Sequence, residues 1–164
     1  MRVWRCSATR GGSKETMDNQ VRVVIESDGD LVDARAAARD LASRLGFSRT
    51  DATLIATAIS EIARNIVVHV GRGTILMSPL LEESRYGLRV VAEDSGVGIR
   101  DVTAALEDGY AGRGGLGLGL PGARRLMDDF EIDTDADRGT RVVMTKWRFR
   151  DELERLRERR AQQT

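Results

Sequence analysis

The chain has 164 residues, which is enough for one domain with a full-sized hydrophobic core. Its 26 basic and 26 acidic residues cancel, so net charge provides no general attraction to nucleic acid or to anionic lipid. One cysteine and one histidine exclude a disulfide framework and a multi-histidine metal site, and no apolar run approaches the roughly 20 residues of a membrane span.

The N-terminal segment is polar and lacks the apolar core of a secretory signal. We therefore expect residues 1–19 to form a flexible arm and the protein to be cytoplasmic. The following residues 21–27 alternate, with Val21, Val23 and Ile25 on one face, which predicts a strand. A helix is predicted over 31–46, capped by Asp30 or Asp33 and ended by Gly46.

A second helix is predicted over 48–70, with Ser48 as its N-cap and Gly71 after its end. Apolar residues recur at positions 55, 59, 62, 66 and 70, the spacing of one helix face. Strands are then predicted over 73–82 and 86–94, and a short helix over 100–109. After a glycine-rich segment come a helix over 120–130 and two strands over 131–136 and 140–147.

This order predicts an α+β fold, a two-layer sandwich in which helices cover one face of a mixed sheet. The predicted domain spans residues 20–147. Residues 148–164 form a highly charged helical tail whose composition favours a solvent-exposed helix end, with Leu153 and Leu156 as a thin apolar stripe.

The segment 109–122, GYAGRGGLGLGLPG, matches the dinucleotide-binding pattern G-x-G-x-x-G twice. That pattern requires its glycines directly after a strand in a βαβ unit, whereas a predicted helix precedes them here. A glycine loop that leads into a helix N-terminus is alternatively a phosphate site, because free N–H groups and the helix dipole favour an anion. A flexible linker is the other interpretation, although three interleaved leucines argue against it.

Two further patterns carry polar groups suited to nucleotide chemistry. Glu61 and Asn65 lie one turn apart on the second helix, so the carboxylate could accept a proton and the amide oxygen could bind Mg²⁺. A solvated helix face remains the alternative. Asp94 ends a strand on the same face as Leu88 and Val90, where a carboxylate needs a donor such as a purine amine. A plain turn is the alternative there.

Together these motifs resemble the Bergerat ATP-binding fold, the histidine-kinase-like ATPase superfamily. The resemblance rests on E-x-x-x-N at Glu61 and Asn65, D-x-G-x-G at Asp94, the glycine loop, and GT at Gly139 and Thr140. It spans residues 20–147. The segments TAISEIARNI and GGLGLGLPGARRLMDDF are similar to one branch in particular, the RsbT-type serine/threonine switch kinases of the bacterial stressosome.

The resemblance implies a role for each motif residue, with ATP and Mg²⁺ as cofactors. Glu61 is implied as the base that acts on the substrate hydroxyl, and Asn65 as the ligand of Mg²⁺. The adenine pocket and phosphate loop are implied to comprise Asp94, Gly96, Gly98, Thr140, Gly112, Gly115, Gly117 and Gly119. Arg64 and Arg113 are weaker candidates for neutralising phosphate, because no motif includes them.

The resemblance also implies partners. Such kinases phosphorylate a STAS-domain antagonist and, once released from it, activate a PP2C-type phosphatase in a pathway that controls a sigma factor. An RsbW-like anti-sigma factor, which binds sigma directly, is one alternative. A nucleotide-binding docking module without catalysis is another.

Overall fold

The computed structural model describes residues 19–82, 84–107 and 119–161. Its elements in chain order are β1 (Val21–Ile25), α1 (Asp28–Arg44), α2 (Arg49–His69), β2 (Gly73–Leu81), β3 (Arg85–Asp94), α3 (Val102–Ala105), α4 (Gly119–Leu126), β4 (Asp129–Asp135), β5 (Gly139–Phe149) and α5 (Glu152–Ala161). The predicted arm 1–19 lies outside the described residues except for its last position. The predicted order of strands and helices is otherwise confirmed.

The five strands form one sheet in the order β1-β2-β3-β5-β4. Every described pairing is antiparallel, so the predicted mixed sheet is wrong in that detail. Two of the four pairings, β2 with β3 and β4 with β5, are hairpins, which place consecutive strands antiparallel. The predicted α+β class is confirmed.

The hydrophobic core lies between one sheet face and the helices. The α2 helix is central, since it packs against α1, α4 and the strands β1, β2 and β3. Its predicted apolar face is confirmed at Ile55, Ile59, Ile62 and Ile66, which are all buried, whereas Val70 lies just past the helix and is half-buried. The largest fully buried side chains are Ile25, Leu41, Ile55, Ile59, Ile75, Met77, Leu88, Met144 and Val90.

The start of α1 differs from the prediction. Ser27 is the N-cap, so neither Asp30 nor Asp33 caps the helix. Asp30 instead occupies the third helical position, where its Oδ2 accepts hydrogen bonds from the backbone N–H groups of Glu26 and Ser27 and from the Ser27 hydroxyl. These bonds hold the pKa of Asp30 below its ordinary value. The C-terminal end is as predicted, with Gly46 just past it at φ +77°.

The two short helices are shorter than predicted. Within the described residues, α3 spans only Val102–Ala105, begun by Asp101, whose Oδ1 accepts from the Ala104 N–H at 2.9 Å. The α4 helix ends at Leu126 because the chain then joins the sheet. The backbone N–H of Asp128 donates to the carbonyl of Thr145, and β4 begins one residue later.

Hydrogen bonds hold the first part of the C-terminal segment against the domain, whereas its composition favours a solvent-exposed helix end. The β5 strand continues to Phe149, two residues beyond the predicted domain end. From this strand, Arg148 donates to the Leu45 carbonyl at 2.6 Å and to both carboxylate oxygens of Glu154 at 3.0 Å. Because Glu154 lies in α5, the first turn of that helix is tied to the end of α1 through one arginine.

We expect this anchor to depend on pH. The hydrogen bonds from Arg148 hold the pKa of Glu154 below 4.5, its ordinary value. A lowered folded-state pKa stabilises the protein above the unfolded value, and this stabilisation is lost as pH falls through the folded value. Glu154→Gln should therefore lower Tm at pH 7 by about 2–4 °C, which corresponds to about 1 kcal/mol.

The measurement is thermal unfolding of both proteins from pH 7 down to pH 3. The difference in Tm should be constant above about pH 5 and should shrink as the wild-type carboxylate protonates. Asp40→Asn is the matched control, because it removes one carboxylate charge from an exposed ion pair with Arg44 on α1. A difference that persists unchanged at pH 3 would show that charge on Glu154 is not the cause.

Candidate functional site: a cavity between α2, α4 and the sheet

The α2 helix positions the first pair of candidate residues. Its N-terminus is fixed by Ser48, whose hydroxyl accepts from the Asp51 N–H at 3.0 Å. Three turns further on, Glu61 is only 5% exposed, whereas Asn65 is half-buried and His69 is exposed. This side of α2 therefore runs from the core at Glu61 to solvent at His69, and a uniformly solvated helix face is excluded.

Glu61 contacts the start of α4. Its Oε2 accepts a hydrogen bond from the backbone N–H of Gly119 at 3.0 Å. A carboxylate is favoured there because the first N–H groups of a helix lack internal partners and carry positive partial charge. Glu61 thus lies against α4 and not in the wall of the neighbouring cavity, while Asn65 does line that cavity.

Asp94 ends β3 on the helix-covered face, as its alternation with the buried Leu88, Val90 and Ala92 predicts. Its Oδ1 accepts from the backbone N–H of Gly96 at 2.9 Å and from that of Thr140 at 3.3 Å. Among the described residues, no hydrogen-bond donor reaches its Oδ2. The half-buried carboxylate therefore keeps one oxygen available to a ligand.

Two glycines allow the backbone to close around Asp94. Gly98 has φ +71°, and a Cβ there would lie 2.8 Å from the Asp135 carbonyl oxygen and 2.9 Å from Thr134 Oγ1. Gly139 has φ +89°, and a Cβ there would lie 2.0 Å from the Asp94 carbonyl oxygen. Both positions require glycine, because the left-handed backbone disfavours other residues and the space for a side chain is already filled.

We expect Gly139→Ala to be strongly destabilising. The left-handed φ costs about 1–3 kcal/mol for alanine, and displacing the Asp94 backbone adds about 1–3 kcal/mol. Gly71→Ala is a matched control, because Gly71 has the same φ of +89° but nothing within 4 Å of its Cβ position. Denaturant unfolding should show a larger loss of stability for Gly139→Ala, and equal losses would contradict the close approach to Asp94.

Thr134 is a site residue that the sequence analysis did not identify. Its Oγ1 accepts from the backbone N–H of Ile99 at 2.8 Å and lies 3.1 Å from Thr140 Oγ1. Thr140 is 9% exposed and lies opposite Thr134 in the β4–β5 pairing. Strand alternation could have placed Thr134 on the covered face, but only the register of β4 against β5 brings it to Thr140.

Asn65, Asp94 and Thr140 line a cavity of about 660 Å³, and Thr134 lies behind its wall, in contact with Thr140. Five of the predicted site residues line it: Asn65, Asp94, Gly98, Gly119 and Thr140. Apolar side chains such as Ile62, Val97, Ile99 and Leu120 form much of the remaining wall. A largely apolar cavity with a few convergent polar groups is typical of a small-molecule site.

The other predicted site residues do not line the cavity or cannot be located. Gly96 contributes its N–H to Asp94 next to the cavity, and Glu61 and Arg64 are outside the wall. Gly112, Arg113, Gly115 and Gly117 lie outside the described residues. His69 and Arg100, which the sequence analysis did not assign to this site, line the cavity.

A second cavity of about 570 Å³ also reaches Asp94 and Thr140, from the sheet face that the helices leave open. Its wall is strongly charged, and several of its charges are paired, as in Arg141 with Glu93 at 2.8 Å and Arg72 with Glu26 at 2.9 Å. The first cavity is the better candidate site, because its wall is the more apolar of the two and suits a flat ligand.

The described residues contain no group of three or more histidine, cysteine, aspartate or glutamate side chains that could hold a metal ion. A Mg²⁺ ion that is held largely by substrate phosphates does not need such a group. Within the same residues, no helix is both long enough and apolar enough to cross a membrane.

Comparison with known proteins agrees with this geometry. A family model described as a histidine kinase-like ATPase domain matches residues 25–146. The chain is 44% identical over 131 residues to the serine/threonine-protein kinase RsbT of Bacillus subtilis (strain 168), covering 80% of this chain and 98% of that protein. It is 29% identical over 118 residues to the anti-sigma F factor of Clostridium novyi (strain NT), covering 69% of this chain and 82% of that protein.

A solved structure extends the comparison to the fold. The crystal structure of the RsbU and RsbW domains of a Mycobacterium tuberculosis protein matches with a TM-score of 0.53 and 21% identity, covering 79% of this chain and 32% of that one. At this identity the likeness concerns the fold alone. The matched family model spans most of this chain and RsbT aligns over nearly its whole length, so the chain belongs to the histidine kinase-like ATPase family as a homologue of RsbT.

Proposed function

We propose that this protein is an ATP-dependent serine/threonine kinase of the switch type, which phosphorylates a STAS-domain antagonist protein. The observation that carries the proposal is the convergence of Asn65, Asp94 and Thr140, from α2, β3 and β5, on one apolar cavity next to the start of α4. The homology to RsbT supports the reaction class.

Adenine fits the Asp94 end of the cavity. The unoccupied Oδ2 accepts only, which suits the exocyclic amine of adenine, and Oδ1 is held in place by Gly96 and Thr140. Gly98 has no side chain, so a flat ring can approach the backbone of the loop. The apolar wall then covers the faces of the ring.

The phosphates fit the α4 end of the cavity. Gly119 lies both at the start of α4 and in the cavity wall, and the start of a helix favours an anion. We assign Gly112, Gly115 and Gly117 to the same phosphate-binding segment on the basis of the family resemblance. Asn65 has the side-chain oxygen that Mg²⁺ prefers, and a bound Mg²⁺ would neutralise phosphate charge during transfer.

Glu61 is the proposed base. In phosphoryl transfer the protein contributes mainly by positioning the reactants and neutralising charge, and a carboxylate accepts the proton of the attacking hydroxyl. Glu61 is the acidic side chain on α2 one turn before Asn65, and its second oxygen, Oε1, is not used in the bond to Gly119. We propose that this oxygen takes the proton of the substrate serine or threonine.

A PP2C-type phosphatase is the proposed second partner, which the kinase binds and activates after release from the antagonist. This exchange is the partner switch that leads to an alternative sigma factor. We propose a cytoplasmic location, where all of these partners would be available.

An RsbW-like anti-sigma factor is the second candidate function. Its supporting observation is the similarity to anti-sigma F factors, one of which is 29% identical over 118 residues. The 44% identity to RsbT over nearly its whole length favours the switch kinase. A docking module without catalysis is the third candidate, and the retained Glu61, Asn65 and Asp94 argue against it.

The test is incubation of the full chain with Mg·ATP and purified STAS-domain antagonists, followed by mass spectrometry of the phosphorylated residue. We expect one phosphorylated serine or threonine on one antagonist, and much less phosphorylation with Asp94→Asn at an ATP concentration that half-saturates the wild type. A parallel pull-down offers sigma factors and antagonists as separate baits. Stable capture of a sigma factor without capture of an antagonist would overturn the proposal in favour of the anti-sigma factor.

A further inference from the structure

Thr134 connects three parts of the candidate site through one hydroxyl. It lies on β4, accepts from the Ile99 N–H of the loop after β3, and touches the hydroxyl of Thr140 on β5. Thr140 in turn donates its backbone N–H to Asp94. Asp94 and Thr140 have proposed contacts with the nucleotide, whereas Thr134 has no proposed role in binding it.

The hydroxyl groups of Thr134 and Thr140 each carry one hydrogen that can be donated. A threonine hydroxyl has one hydrogen to donate and two lone pairs that accept. The Ile99 N–H fills one lone pair of Thr134, and either hydroxyl can be the donor in the 3.1 Å contact between Thr134 and Thr140. When Thr134 donates to Thr140, the hydrogen of Thr140 remains free for the cavity that Thr140 lines.

Thr140 lies beside Asp94, so the two side chains can recognise the same edge of a purine base. The two residues are joined at 3.3 Å through the Thr140 N–H, so their side chains present neighbouring groups to one ligand edge. Asp94 is an acceptor, and Thr140 in this arrangement is a donor. Adenine offers the complementary pattern, because ring nitrogens that accept, N1 and N7, flank the amine that donates. Guanine places a carbonyl oxygen where the amine would be, which an acceptor-only carboxylate repels.

We propose that Thr134 is a positioning residue for purine recognition, which orients the Thr140 hydroxyl as a donor to a ring nitrogen beside the adenine amine. The same hydroxyl anchors the Gly98–Ile99 segment, because Gly98 leaves room for Thr134 Oγ1 at a place that a Cβ would occupy. This inference rests on the proposed function, since it requires a purine in the cavity.

The test compares the affinity of wild type and Thr134→Val for ATP, 1-deaza-ATP and 7-deaza-ATP by titration calorimetry. Each analogue replaces one ring nitrogen by carbon. Wild type should bind one of the two about 3- to 10-fold more weakly than ATP, the effect of one neutral hydrogen bond. Thr134→Val should bind ATP more weakly and should lose most of the distinction between ATP and that analogue.

Thr134→Ser keeps the hydroxyl and should keep the distinction. A merely structural role for Thr134 would weaken all three nucleotides equally, which would overturn the inference, as would a wild type that binds both analogues as tightly as ATP. Thr134→Ala replaces the valine variant if thermal unfolding shows that valine disrupts the fold.

Asp94→Asn separates this inference from the proposed function. If Asp94→Asn loses ATP affinity while Thr134→Val retains the wild-type pattern, only the inference on Thr134 fails. If neither substitution changes ATP affinity, the nucleotide site itself is wrong.

Discussion

Replacing Glu61 by glutamine should slow phosphoryl transfer by about 10²–10⁴-fold, the usual contribution of an acid–base residue, while ATP affinity changes little. The reason is the contact with Gly119. A glutamine Oε1 can accept the same backbone hydrogen bond that Glu61 Oε2 accepts at 3.0 Å, so the start of α4 keeps its partner. Only the negative charge and the ability to take a proton are lost.

Glu61→Ala provides the matched comparison. It removes both the charge and the acceptor, and leaves the Gly119 N–H without a partner at a cost of about 1–3 kcal/mol. The measurement is single-turnover transfer of radiolabelled phosphate from ATP to the antagonist, together with ATP affinity and thermal unfolding. Full transfer activity in Glu61→Gln would remove Glu61 as the base and leave it with the contact to α4 alone.

Replacing Asp94 by asparagine should weaken ATP binding by about 10- to 100-fold, the effect of losing a hydrogen bond to a charged group. Oδ1 already accepts from Gly96 and Thr140, so the asparagine oxygen is expected to take that position. Its NH₂ group then faces the adenine amine. Both of these groups are hydrogen-bond donors, whereas in the wild type the carboxylate Oδ2 accepts from the amine.

The neighbouring Glu93→Gln is a suitable control for this prediction. Glu93 precedes Asp94 on β3, but it lies on the opposite sheet face, is exposed, and pairs with Arg141 at 2.8 Å. Calorimetry should show near wild-type ATP affinity for Glu93→Gln and a clear loss for Asp94→Asn. Equal affinity in both variants would show that Asp94 does not contact the base.

Local patterns predicted much of the fold. The α2 helix follows from Ser48, the apolar spacing and Gly71, and its buried face is as expected because helix periodicity is a local property. The alternation that placed Asp94 on the covered face of β3 is local in the same way. The start of α1 was misplaced because Ser27 and Asp30 are both good residues near a helix N-terminus, and their arrangement depends on backbone geometry.

The candidate site was only partly predictable. The family resemblance implied Asn65, Asp94, Gly98, Gly119 and Thr140 as site residues, and the fold brings them to one cavity. It missed Thr134, because a threonine in an alternating strand has no distinguishing local pattern. It did not show that Glu61 is buried, since its partner Gly119 is 58 positions away in the chain.

The amino-acid sequence by itself determined the order of elements and the apolar faces, because these depend on neighbours within a few positions. The candidate nucleotide residues followed from its resemblance to a known family. The tertiary structure alone decided that Glu61 meets Gly119, that Thr134 meets Thr140 and Ile99, and that Arg148 joins Leu45 to Glu154. Most of these contacts join residues distant in the chain. Strand register and helix packing select their partners, and no local pattern encodes either one.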